Sequence, residues 1–237
     1  MNILFRLLLA HIVADFFLQT DKMNSGKNAA DGRKWLFLLL HSFTHAVATY
    51  VFVAQWTNFS VPAIIFLSHF IIDTIKTSIR SKSVAAFVMD QIAHISVILF
   101  VVFPLTGGAI CEAVMPNLFN SNKLIIYAIG YALMLKPTSI VMNLLLNRWD
   151  LTALTSLGLP HAGKWIGYLE RILILTFILT GNLEGVGFLL AAKSVFRFGD
   201  LNKAKDIKIT EYVMIGTLIS FTIAILVGYA VKYFAAI

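Results

Sequence analysis

An all-α polytopic membrane protein with about eight transmembrane helices is the fold class this sequence predicts, and three observations carry it. Of the 237 residues, 59% are hydrophobic and only 13% are charged, against roughly 25% charged in an ordinary soluble domain. The mean hydropathy is +0.82. Apolar runs recur at about the 17 to 25 residues that a bilayer crossing needs, and basic loops between them alternate with non-basic ones. Too few charges remain to cover a soluble globule, so a soluble enzyme is excluded. Gly 14, Pro 5 and Cys 1 exclude a collagen-like fibre and a disulfide scaffold. The lone Cys111 has no second cysteine for an intramolecular bridge.

The formal net charge of +7 does not point to nucleic acid. Lys and Arg stand in short clusters between apolar runs, the pattern of loops anchored at an anionic membrane face. The stretch from Asn2 to Thr20 carries Asp15 in its apolar part and lacks a basic leader and a small-residue cleavage site. It is expected to be retained as a first membrane helix.

Crossings are expected at about 3–19, 35–56, 61–79, 84–104, 123–146 and 209–234. The apolar region 165–198 is interrupted by Gly181, Asn182, Glu184, Gly185 and Gly187, and reads as two shorter helices meeting in a turn. Residues 1–104 form a four-helix half and residues 123–237 a second helical half of a single membrane domain. Loop 20–34 holds Lys22, Lys27, Arg33 and Lys34, and the loop near Asn58 is uncharged. Arg80 and Lys82 follow, then a long loop whose interior charge is Glu112. Arg148 and Lys164 flank the next, Glu184 the one after, and Arg197, Lys203, Lys205 and Lys208 mark the last. The positive-inside rule then places both termini outside and the four basic loops in the cytoplasm. Trp35, Trp149 and Trp165 sit near those boundaries as interfacial anchors.

Ionisable residues inside a span are costly and by default functional. The first helix carries His11 and Asp15, the second His41 and His45, the third His69 and Asp73, the fourth Asp90 and His94. Each pair is spaced i, i+4, so both side chains share one helix face. Counted inward from the cytoplasmic boundaries, Asp15, His41, Asp73 and Asp90 lie roughly 8 Å deep, and His11, His45, His69 and His94 roughly 14 Å deep, at the α-helical rise. The order within each pair reverses with helix direction, as a shared cytoplasmic-side site requires. Imidazole and carboxylate without thiolate suit Zn, Mn or Fe, with Zn the first choice. Eight candidates exceed the ligands of one zinc ion, so one or two ions bind, or some members support the ligands. Hydrogen-bonding glue between helices is the plainer reading, but glue does not require four matched pairs at matched depth.

The segments HIVADFFLQ, LLLHSFTH, SHFIIDTIK and MDQIAH resemble the bacterial membrane family known as domain of unknown function 3307. HAGKWIGYLER and AAKSVFRF are similar to its C-terminal half, so the likeness covers about 1–100 and 160–198. The resemblance implies a multi-pass protein of the bacterial cytoplasmic (inner) membrane and no particular activity. A more distant likeness, to membrane-bound metal-dependent hydrolases, is analogy only.

In the second half, Arg171 and Lys193 are candidate anion-binding groups for a lipid phosphate. The competing reading is a charge-balancing cluster of Glu170, Arg171 and Lys193, with Arg197 reaching the headgroups. Lys76 and Arg80 read as snorkelling, His161 as a loop residue, and Gly163 with Gly167 as a small-residue pair permitting close helix packing. There is no Gly-rich phosphate loop, no H-E-x-x-H and no nucleophile elbow. Ser42 and Thr44 beside His41 and His45 are weak evidence for a nucleophile.

The functional expectation is an intramembrane metal-dependent hydrolase acting on a lipid-like or phosphorylated substrate, with membrane lipid rather than nucleic acid as its partner. His11, His45, His69 and His94 are the first-choice nitrogen ligands, and His41 completes the set. Asp15, Asp73 and Asp90 are ligands or supply a general base, with Asp73 and Asp90 the catalytic candidates. The alternative is a divalent-cation or proton transporter using the same groups as a relay. The apolar outer halves of the helices, Val47 to Phe52 and Ile95 to Phe103, favour a one-sided site.

Overall fold

The structure, a computed structural model, describes residues 3–79, 81, 83–105, 123–147, 149, 161–198 and 204–236. Arg80, Lys82, Cys111, Glu112, Arg148, Lys203 and the side chains of Arg197 and Lys205 lie outside the described residues. Every regular element among the described residues is helical. In chain order they are α1 (Ile3–Ile12), which continues as a π-helical segment (Val13–Leu18), α2 (Asp21–Lys27), α3 (Arg33–Val53), α4 (Ser60–Ile79) and α5 (Val84–Leu105). Then come α6 (Lys123–Met134), α7 (Lys136–Leu146), α8 (Ala162–Thr180), α9 (Leu183–Phe198) and α10 (Ala204–Ala236).

Several local features explain the breaks. Thr20 caps α2, its Oγ1 accepting from the Met23 amide at 3.2 Å, which closes an otherwise open helix start. The chain bends by 92° between the first helix and α2. Gly26 makes the seat of α2 on α3, because a Cβ there would collide with the Phe37 ring. Between α6 and α7, Pro137 has no amide hydrogen for the Leu133 carbonyl, and Thr138 Oγ1 donates to that carbonyl instead, at 2.6 Å. Gly181 ends α8 with φ +78°, where its amide and that of Asn182 bond Ile178 and Phe177 at 3.2 and 2.8 Å. That is the reversal expected of a glycine-terminated helix, and it delivers the turn between two shorter helices read from the sequence at 165–198.

The outward faces are those of a protein in lipid. On α3 the buried side includes His41, Ser42, His45 and Thr49, while Leu36, Leu40, Phe43, Val47 and Val51 are exposed. A soluble helix buries the opposite set. Among the described residues, five helices are long and apolar enough to cross a membrane: Arg33–Val53, Ser60–Ile79, Val84–Leu105, the broken pair Lys123–Leu146, and Ile207–Ala235. The bent pair Ile3–Leu18 with Asp21–Lys27 makes a sixth if taken as one span. The count of eight also needed α8 and α9. α9 has only 16 residues, and the 19 of α8 include Lys164, Glu170 and Arg171. Neither is both long and apolar enough to qualify.

The described residues divide into two compact units, one ending at Ile129 and one running Gly130–Ala236. In the first, α3 packs on α1, α2 and α4, and α5 on α4 and α1. Leu4, Leu7, Val53, Val61, Ile65, Ile98, Val101 and Val102 form a buried aliphatic cluster. These come from the starts of α1 and α4 and the ends of α3 and α5, so alternating helix direction gathers them at one end of the bundle. In the second unit α8 packs on α9 and α10, and α7 on α10. Close approach here uses Gly228, where a Cβ would stand 2.7 Å from Ile178 Cδ1. Gly163 and Gly167 do not serve that purpose. A Cβ at Gly163 would meet nothing within 4 Å, and one at Gly167 would meet the Arg171 guanidinium. The small residue at 167 makes room for its own helix's arginine.

Candidate metal centre

The eight His and Asp residues of the four i, i+4 pairs converge in the first unit. All but Asp15 are below a tenth exposed, and the Asp15 side chain is 11% exposed. The layers expected from depth are present as contacts. Four imidazoles meet in the deeper layer. His45 stacks on His69 at 3.7 Å between ring centroids, His69 stacks on His94 at 4.1 Å, and His11 stands 5.3 to 5.5 Å from all three. His69 Nδ1 lies 3.2 Å from its own helix's Ile65 carbonyl and its Nε2 3.3 Å from His11 Nδ1. The backbone contact therefore fixes which nitrogen faces the cluster.

The shallower layer holds the carboxylates and His41. Asp15 sits in the π-helical segment, a wide turn found disproportionately at functional sites. Its Oδ1 accepts from His41 Nε2 at 3.1 Å and His45 Nε2 at 3.2 Å, and its Oδ2 from Gln91 Nε2 at 3.3 Å. His41 Nε2 is also 3.4 Å from Asp73 Oδ2. Among the described residues, ligand-type atoms gather in three sets, each within 4.8 Å: His11, His45 and His69; Asp15, His41 and His45; Asp73, Asp90 and His94.

The third set is the one whose carboxylates are held by lysines. Asp73 Oδ2 accepts from Lys27 Nζ at 2.7 Å, and Asp90 Oδ2 from Lys76 Nζ at 2.6 Å. With both Oδ2 atoms so occupied, the Oδ1 atoms face His94 Nε2 at 3.8 and 3.6 Å. Those separations, 3.6 Å and more, are too long for a hydrogen bond. Asp90 Oδ1 and His94 Nε2 are buried without a hydrogen-bond partner, an arrangement a finished core avoids. Ligands about 2.0–2.2 Å from a tetrahedral ion stand roughly 3.3–3.6 Å from one another. At 3.6 and 3.8 Å the two contacts of His94 stand at and just beyond that ligand spacing, and outside hydrogen-bond range.

Periodicity did not reveal Lys27, Lys76, Gln91 and Gln19. Lys27 read as part of a basic loop, yet it is 3% exposed and bonds Gln19 Oε1 at 2.8 Å as well as Asp73. Lys76, read as snorkelling, is 45% exposed at its side chain and also pairs with Asp90, fourteen residues on. Gln91 donates to Asp15 and Asp90 and lies 3.3 Å from His11 through Oε1. Its position three residues before His94, on the same helix face, was the available signal.

The second unit separates the two proposed anion-binding groups. Arg171, also 3% exposed, directs Nε to the Met134 carbonyl at 2.7 Å, one terminal nitrogen to Ser139 Oγ at 2.9 Å and the other to Ser220 Oγ at 3.3 Å. Lys193 pairs with Glu170 at 2.6 Å. Of the expected three-member charge cluster, the Glu170–Lys193 pair forms while Arg171 bridges three helices through neutral acceptors. His161 is an exposed residue at φ +62° preceding α8. Ser42 and Thr44 hydroxyls donate to the Leu38 and Leu40 carbonyls at 2.9 Å each, as helix-bound hydroxyls do.

No curated protein and no solved structure matches the chain. The family model described as protein of unknown function DUF3307 matches residues 3–119. That run contains all four His/Asp pairs together with Lys27, Lys76 and Gln91, while the likeness read at 160–198 lies outside it. The whole polar cluster lies inside the matched residues, so it is residues 3–119 of this chain, just under half of it, that are similar to the DUF3307 family.

Proposed function

We propose that the first unit is an intramembrane divalent-metal centre that hydrolyses a lipid-like substrate from one side of the membrane. The observation that carries the metal is the trio Asp73 Oδ1, Asp90 Oδ1 and His94 Nε2, buried, mutually 3.6 to 3.8 Å apart where His94 is concerned, and two of them without partners. Zn suits that set, with Mn and Fe as the other oxygen- and nitrogen-binding choices. A divalent ion there would supply Lewis acidity toward a phosphoryl or ester oxygen and toward water. The protein's part is to orient and to take up a proton. Lys27 and Lys76 hold the two carboxylates by their outer oxygens, which fixes the direction of the inner ones. Asp15, held by His41, His45 and Gln91, is the carboxylate outside the trio and the reading's proton acceptor.

One-sidedness rests on the aliphatic cluster at the starts of α1 and α4. A carrier needs a polar path to both faces, and eight buried aliphatic side chains occupy the end away from the lysines. The amines instead mark the other end, where the Lys76 side chain is 45% exposed. The test uses purified full-length protein in mild detergent and in sealed liposomes. Expected are near-stoichiometric Zn, Mn or Fe and product release from a lipid-phosphate or lipid-ester panel, with turnover abolished by Asp90→Asn. Metal or proton uptake into liposomes, lost in the same variant, with no product from any lipid would overturn the hydrolase in favour of the transporter.

A further inference from the structure

The two amines of the site are not equivalent. Lys27 is enclosed, its side chain 4% exposed, and it arrives from α2 after the 92° bend, anchored by Gln19. Lys76 is half-open to the surroundings and three residues from the end of α4 at Ile79. Three residues of helix is about 4.5 Å, a distance that its long side chain can span toward the end of α4 once it leaves Asp90. What each leaves behind also differs. Asp90 Oδ2 accepts from Gln91 Nε2 at 3.2 Å as well as from Lys76. If Lys76 turns away, Asp90 keeps a donor and its inner oxygen stays aimed at His94. Lys27 and His41 are the groups near Asp73 Oδ2, and Lys27 has no comparable freedom.

Charge supplies the second argument. Counting imidazoles as neutral, Asp15, Asp73 and Asp90 against Lys27 and the half-open Lys76 leave one negative charge in the cluster. A divalent ion on the trio turns that into one positive charge. In a medium of low dielectric an uncompensated charge is costly, and an anion is the natural remedy. An ammonium beside a divalent ion suits a group that offers both of them oxygens, which a phosphate does.

Resting on the metal reading above, we infer that Lys76 is the anion receptor of this site, taking a phosphate-type group against the Asp73–Asp90–His94 face while Lys27 stays as the positioning residue of Asp73. The phosphate is either a lipid headgroup or free phosphate, whose recognition chemistry is shared.

The test loads the purified full-length protein with Zn²⁺ in neutral detergent, removes excess metal, measures stoichiometry, and then titrates inorganic phosphate by calorimetry. Wild type is expected to bind phosphate only when Zn²⁺ is bound. Lys76→Gln should keep its Zn²⁺, because Gln91 still holds Asp90, and lose phosphate affinity by about tenfold or more, the loss of one charge-assisted contact. Lys76→Arg should restore most of it. Phosphatidic acid in phosphatidylcholine nanodiscs identifies the headgroup as the source if it competes with phosphate, and free phosphate if it does not. An unchanged phosphate affinity in Lys76→Gln, or no phosphate binding to Zn²⁺-loaded wild type, overturns the inference and leaves the metal centre standing. A wild type that takes up no metal overturns both, and the stoichiometry step records that before phosphate is added.

Discussion

His94 Nε2 lies 3.6 Å from Asp90 Oδ1, and both atoms are buried without a hydrogen-bond partner. They belong to one helix, one turn apart, so their approach follows from the i, i+4 spacing. The other oxygen of Asp90 is taken up by Lys76 and Gln91, which both donate to it. A core built only to bridge helices would let an imidazole and a carboxylate close the gap, because leaving buried groups unpaired costs about 1–3 kcal/mol each.

Loss of a trio member should therefore empty the site. Purified wild type is expected to carry close to one equivalent of divalent metal, and His94→Ala or Asp73→Ala to bind it at least about 100-fold more weakly. Elemental analysis after dialysis against a chelator series reads this directly. Equal trace metal in wild type and both variants would end the metal reading and return the cluster to hydrogen-bonding glue.

Lys27 gives a separate handle on stability. Its pair with Asp73 is buried on both sides, so Lys27→Leu leaves a buried carboxylate without its cation, a loss of about 3–5 kcal/mol. The double variant Lys27→Leu/Asp73→Leu removes both charges and should recover most of that. Thermal or denaturant unfolding in detergent measures both, and the double variant should still fail to bind metal. A Lys27→Leu protein as stable as wild type would show that the pair is not formed.

Arg171 is expected to be structural. Its planar fork serves three acceptors from α6, α7 and α10, a geometry that lysine's single ammonium cannot reproduce. Arg171→Lys should lower stability by about 1–3 kcal/mol for the acceptors it strands, with metal content and phosphate affinity of the first unit unchanged. A drop in either would return Arg171 to the anion-binding role first read from the sequence.

Topology follows from loop charge. With the bent pair counted as a sixth span the number is even, as it is at eight if α8 and α9 also cross, and in both cases the termini share a side. From the basic loops 20–34 and 198–208 that side is expected to be the exterior. A C-terminal reporter that works only outside the cytoplasm is expected to be active, and one that works only inside to be silent; the reverse pattern refutes the orientation.

By itself the sequence determined the helical membrane class and the face on which each His/Asp pair stands. Both follow from local rules. Hydropathy over about twenty residues decides that a segment prefers lipid, and a spacing of four decides that two side chains share a face. Matched depth went further and put His11, His45, His69 and His94 in one layer, since helix rise is constant. Tertiary structure decided what no period encodes. A lysine's long side chain can end in solvent or in the core, and the 92° bend after Leu18 with the close seat of Gly26 on Phe37 sent Lys27 into the core. Lys76 looked equally peripheral until packing of α4 on α5 set Asp90 within its reach. Which carboxylate oxygen meets an amine, and which is left facing His94, depends on neighbours contributed by α2, α4 and α5 together. Such distances are set by how helices pack, and a one-dimensional pattern does not carry them.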